Sequence, residues 1–95
     1  MAFEILLTAD AERELDGLRA YERAIVVEAM ETHLKHEPTK VSRVRIKKLD
    51  QPAISQYRLR VGDYRVYYDV EEGAKHVIVI QIYDKGRGPT SERKA

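Results

Sequence analysis

The sequence predicts an α+β fold: an N-terminal strand, then an αα-hairpin packed on a mainly antiparallel sheet of about four to five strands. Three observations predict it. Apolar residues recur at helical spacing from Ala11 to about His36 and then at alternate positions after Pro38. Tight-turn pairs, Gly62-Asp63 and Glu72-Gly73, separate the alternating segments. The helical part comes before most of the strands instead of interleaving with them, which points to segregated layers and away from a doubly wound sheet.

Each element follows from its own residues. Phe3 to Leu7 is an apolar run of strand length. Thr8 is an N-cap candidate, because its hydroxyl can accept from the amides that follow. Ala11, Leu15 and Leu18 then fall on one helical face, and Asp10, Glu12 and Glu14 sit where the helix dipole favours acids. A second helix is predicted over about Tyr21–His36, with Ala24 or Ile25, Val26, Ala29, Met30, His33 and Leu34 facing inward. Pro38 forbids its continuation. The connection near Arg19–Ala20 is short, so the helices must run antiparallel.

Beyond Pro38, Val44 and Ile46 alternate with Arg43, Arg45 and Lys47. Tyr57, Leu59 and Val61 alternate with Arg58 and Arg60, and Tyr64, Val66, Tyr68 and Val70 with Arg65, Tyr67 and Asp69. Val77 to Ile82 is nearly all apolar, as suits a central strand covered on both faces, with Phe3–Leu7 a candidate neighbour. Residues 1–85 are read as one domain and 86–95 as a flexible tail.

At 95 residues the chain can bury one core without a staple, and it has no cysteine, so neither disulfides nor thiolate chemistry are available. No apolar stretch is long enough to cross a bilayer. The opening MAFEILLTADAERE turns acidic too soon for a signal peptide, so a cytoplasmic location is expected. The net charge is only +1, but the charges are sorted. Residues 1–39 carry nine acids and four bases, whereas residues 40–65 carry eight bases and two acids. A basic centre this dense points to a polyanion, to an acidic protein, or to a solvated surface.

The stretch YRLRVGDYRVYYDV narrows the choice. If Gly62-Asp63 is a two-residue turn, Arg60 faces Arg65, Arg58 faces Tyr67, Leu59 faces Val66 and Tyr57 faces Tyr68. One face then holds Tyr57, Leu59, Val61, Tyr64, Val66 and Tyr68. The other exposes Arg58, Arg60 and Arg65 around Tyr67. Like charges directly opposite cost up to about 1 kcal/mol per pair. A bound phosphate compensates for that, because guanidinium binds it bidentately and stays charged. Pairing with a nearby carboxylate, Asp69 above all, is the structural alternative.

His33, His36 and His76 lack metal-ligand spacing, so no metal site is expected. Glu12, Glu14 and Asp16 read as a solvated helix face. Gly86-Arg87-Gly88 is too short for a dinucleotide loop, and no cofactor is implied.

The order of elements, the stretch Lys47-Lys48-Leu49 and the YRLRVGDYRVYYDV hairpin closely resemble the RelE/ParE toxin superfamily, over about Phe3 to Lys85. The resemblance implies the RelE-like microbial RNase fold and the toxin half of a toxin–antitoxin module. RelE-type members cleave mRNA in the ribosomal decoding site, and ParE-type members poison DNA gyrase. A homologue with weak catalysis, acting through antitoxin binding, is a third possibility. Carried over by position, the catalytic set is Arg58, Arg60 and Arg65, with Lys85, or Arg87 as its substitute, after the last strand; the proton donor has no positional match, and Tyr83 or Tyr67 would have to serve. Arg43, Arg45, Lys47, Lys48, Tyr67 and Arg87 are the expected RNA contacts. Many relatives place a histidine or tyrosine where this chain has Asp84 and, approximately, Pro89. The implied partners are a cognate antitoxin, the ribosome and mRNA, with no membrane and no small-molecule cofactor. The antitoxin is expected to wrap the protein as an extended or helical chain that orders on binding.

Overall fold

A computed structural model describes residues 2–86 and, by their backbone, 88–89. The elements are β1 (Glu4–Leu7), α1 (Ala9–Asp16), α2 (Ala20–Leu34), β2 (Ile46–Lys48), β3 (Tyr57–Val61), β4 (Tyr64–Glu71), β5 (His76–Asp84) and β6 (Gly88–Pro89). The sheet runs β1-β5-β4-β3-β2, with β6 also paired to β5. All neighbours are antiparallel except β1 and β5, which are parallel. The fold is the α+β arrangement expected, and Val77–Ile82 lies between β1 and β4.

Local chemistry explains the helical hairpin. Thr8 Oγ1 accepts from Ala11 N–H at 3.2 Å, as an N-cap should. Glu22 Oε1 accepts from Arg19 N–H at 3.2 Å and so caps the start of α2 from inside its first turn. Residues 17–19 are the whole connection. From α2 the buried stripe is Val26, Met30 and Leu34, at i, i+4, i+8. It joins Leu59, Val66, Val79 and Ile82 of the sheet in one core cluster. Each such aliphatic contributes about 1.5–3 kcal/mol by leaving water. Tyr68 is fully buried, stacks on Tyr57 at 5.6 Å and donates its hydroxyl proton to Pro38 O at 2.6 Å. That bond anchors the crossing from α2 to β2.

Several details differ from the sequence reading. α2 ends at Leu34, and Ile25 is 54% exposed, with Ala24 also exposed, so neither belongs to the inward stripe. Val44 is 59% exposed, because Ser42 forms a turn before β2. The Ser42 hydroxyl accepts from Arg45 and Ile46 N–H, and Ser42 N–H donates to Ile46 O. On β5, burial alternates: Ile78 and Ile80 are half-buried, so the second face is incompletely covered.

Glu14 is the clearest reversal, since it is only 1% exposed. β1 stops at Leu7, which leaves the next part of the β5 edge without a strand. Thr8 Oγ1 donates to Ile80 O there, and Glu14 Oε1 accepts from Ile82 N–H at 3.1 Å. An acid on α1 therefore completes the sheet edge instead of facing water. In the expected tail, Gly88 and Pro89 pair with Asp84 and Tyr83 as β6, so these two positions are strand. The flexible-tail reading of residues 87 and 90–95 falls outside the described residues.

Candidate nucleic-acid interface

The β3–β4 hairpin pairs as the two-residue turn predicts: Tyr57 with Tyr68, Arg58 with Tyr67, Leu59 with Val66, Arg60 with Arg65 and Val61 with Tyr64. Gly62 supplies the positive φ, +58°, at the first turn position, which an L side chain adopts only under strain. Cross-strand partners share a face, so the register extends the pattern over four strands. Lys47 pairs with Arg58, Arg58 with Tyr67, and Tyr67 with Gln81. In the adjacent row Arg60 N–H donates to Arg45 O, Arg60 pairs with Arg65, and Arg65 with Tyr83. Two rows thus run across the face opposite the helices: Lys47–Arg58–Tyr67–Gln81 and Arg45–Arg60–Arg65–Tyr83. Strands lie about 4.8 Å apart.

The face holds five cations with little protein compensation. No carboxylate among the described residues forms an ion pair with Arg58, Arg60 or Arg65. Asp69, the alternative partner, accepts from Gln56 N–H at 2.7 Å instead. Arg58 Nε is buried without a hydrogen-bond partner among the described residues. Arg45 Nη1 reaches only a carbonyl, Arg60 O, at 3.4 Å.

Arg65 corrects an expectation, because it is 8% exposed instead of open to solvent. It sits on the middle strand, flanked by Arg60 and Tyr83, and it curls back onto its own turn. Nη1 donates to Gly62 O at 2.8 Å and to Tyr64 O at 3.0 Å. Burial, then Arg58 and Arg60, lower its proton affinity, and Tyr67 and Asp63 oppose them. It remains a cation at neutral pH. Sequence alternation assigns a side chain to a face but not to a depth.

The other expected residues divide. Tyr83 and Tyr67 meet edge to face at 6.5 Å. Lys85 is exposed and lies beside the hairpin turn, its N–H donating to Asp63 O at 2.8 Å. Lys48 pairs with Tyr57 and therefore belongs to the opposite face, where it borders a shallow cavity with Leu49, Gln56 and Tyr57. Arg43 is exposed in the loop before β2. Arg87 lies outside the described residues. Asp84 is buried, pairs with Tyr64 and accepts from Gly86 N–H, so it does not face the arginines. Gln81 was not anticipated; its alternation with Tyr83 on β5 was the available signal.

Chemically, such a face can bind a chain of phosphates and stabilise added negative charge. Its described residues include no histidine: His76 is at the far end of β5, with Nε2 3.4 Å from Glu4 Oε1. No group of three or more His, Cys, Asp or Glu among the described residues is placed to hold a metal ion. No described helix is long and apolar enough to cross a membrane.

Comparison with known proteins gives the frame for this face. No curated protein sequence matches the chain. The RelBE2 toxin–antitoxin complex of Mycobacterium tuberculosis contains a chain of similar fold, with a TM-score of 0.76 and 26% identity over 88% of this chain and 92% of that one. The archaeal RelE–RelB complex of Pyrococcus horikoshii is similar in fold, with a TM-score of 0.73 and 24% identity over 93% of this chain and 100% of that one. The family model for the ParE toxin of the type II toxin–antitoxin system parDE matches residues 5–88. The chain therefore belongs to that toxin family, within the RelE/ParE superfamily.

Proposed function

We propose that this toxin arrests growth by cleaving mRNA on the ribosome, without a metal, and that a cognate antitoxin silences it in the cytoplasm. One observation carries the reading: five cations share one sheet face, and Arg58, Arg60 and Arg65 lack a carboxylate partner among the described residues. The similar structures are toxin–antitoxin complexes, which supports an antitoxin partner.

RNA supplies its own nucleophile. The 2′-hydroxyl gives its proton to solvent water and attacks the adjacent phosphorus, a cyclic phosphate forms, and the P–O5′ bond breaks as the 5′-oxygen takes up a proton from the protein. Arg58 and Arg60 hold the phosphate oxygens and stabilise the charge that grows on them. Arg65, tied to its turn, strengthens that field from beneath. Lys85 stands on the leaving side, and the Tyr83 hydroxyl donates the proton. A phenol is intrinsically a poorer proton donor at neutral pH than an imidazolium, so alignment by the ribosome supplies much of the rate.

A second reading has its own support. The matching family model is named for parDE, and no described histidine lies on the cationic face, which suits a gyrase poison without hydrolytic chemistry. Induced expression decides between them. Mapping mRNA 5′ ends should reveal cuts within translated codons, with no gyrase-linked DNA breaks. Breaks without mRNA cuts would transfer the protein to the gyrase reading.

A further inference from the structure

We propose that Tyr67, Tyr83 and Gln81 form a nucleobase subsite beside the phosphate track, so that the face reads a single-stranded base as well as binding its backbone. The inference rests on the RNA reading above and adds a specificity determinant to it.

The face is not uniform. Its β2–β3 half consists of Arg45, Lys47, Arg58 and Arg60, all cations. Its β4–β5 half holds two phenol rings and an amide, with Arg65 withdrawn into the protein. Both rings are half-buried and meet edge to face, so the ring surface not covered by that contact is what a base would stack on. Gln81 pairs with Tyr67 and is half-buried beside it on the same face. An amide offers one donor and one acceptor side by side, the pattern that a base edge complements.

The spacing fits one nucleotide. From β3 to β5 is two strand intervals, about 9.5 Å. A phosphate held by Arg58 can therefore send its base across the sheet onto Tyr67 and Gln81. Along the strands the two rows lie about 6.7 Å apart, so consecutive phosphates can occupy consecutive rows. Stacking alone tolerates every base, and the amide adds discrimination.

The test compares two uncleavable ligands at low salt: a short 2′-O-methyl oligonucleotide and an abasic backbone of the same length. Wild type should bind the base-bearing strand about 5- to 150-fold more tightly. Gln81→Ala should level its preferences among the four homopolymers, and Tyr67→Leu should remove most of the advantage over the abasic strand. Both variants should bind the abasic strand as wild type does, which a merely structural role would not permit. Equal wild-type affinity for both ligands, falling with salt, would overturn the base subsite and leave the phosphate face standing. Binding of neither would overturn both.

Discussion

The two faces of the β3–β4 hairpin are made from alternate residues of one continuous stretch, yet the protein completes only one of them. On the helix side Leu59, Val66 and Tyr68 are sealed into the core, and the one buried hydroxyl among them has its acceptor in Pro38. On the other side Arg60 faces Arg65, Arg58 Nε has no partner among the described residues, and Asp69 is engaged elsewhere. Stability accounts for the first face. Repulsion without a carboxylate partner makes sense on the second if its partner arrives from outside. A sheet can thus separate fold and function by residue parity alone.

The largest effect that would sharpen this contrast is on the core face. Leu59→Ala should cost about 2–5 kcal/mol in chemical denaturation, from lost burial and the cavity left behind. A loss no larger than that of a surface change would break the contrast. Next comes alkaline pH. Burial, and then Tyr57, push the Tyr68 phenol well above its ordinary value. The unfolded chain gives up that proton near pH 10 while the folded chain keeps it, so stability is unaffected below pH 10 and falls above it, by up to about 1.4 kcal/mol per pH unit. Tyr68→Phe should remove that component of the alkaline slope when the two proteins are compared.

Arg65 lies between the two classes. Its two bonds to turn carbonyls favour the fold, and its desolvation and repulsion oppose it. The balance predicts that Arg65→Ala costs about 1 kcal/mol, less than Leu59→Ala and more than a solvated arginine. The smallest effect belongs to Lys48→Ala. Lys48 is basic but on the wrong face, so mRNA cleavage should be unchanged and stability should move within about 0.5 kcal/mol. A marked loss of cleavage would show that charge, and not the face, is what counts.

Much of this was legible from the residues. Gly62-Asp63 fixed the turn, the turn fixed the register, and parity then put Arg58, Arg60 and Arg65 together. What escaped depended on neighbours remote in sequence. Arg65 is deep because β5 brings Tyr83 alongside, and Glu14 is buried because β1 ends early. Ile25 is exposed because α2 presents Val26, Met30 and Leu34 to the sheet. Lys48 is different: with Ile46 turned inward, parity already put Lys48 on the same side.

The central claim is that the arginine face serves a phosphate chain and not the fold. The direct measurement is mRNA cleavage on translating ribosomes by purified Arg58→Ala/Arg60→Ala protein, with its circular dichroism and melting recorded alongside. The account predicts a folded protein of near wild-type stability whose cleavage is reduced at least 10²- to 10³-fold, the usual cost of lost charge stabilisation. Wild-type cleavage by that folded variant would contradict it.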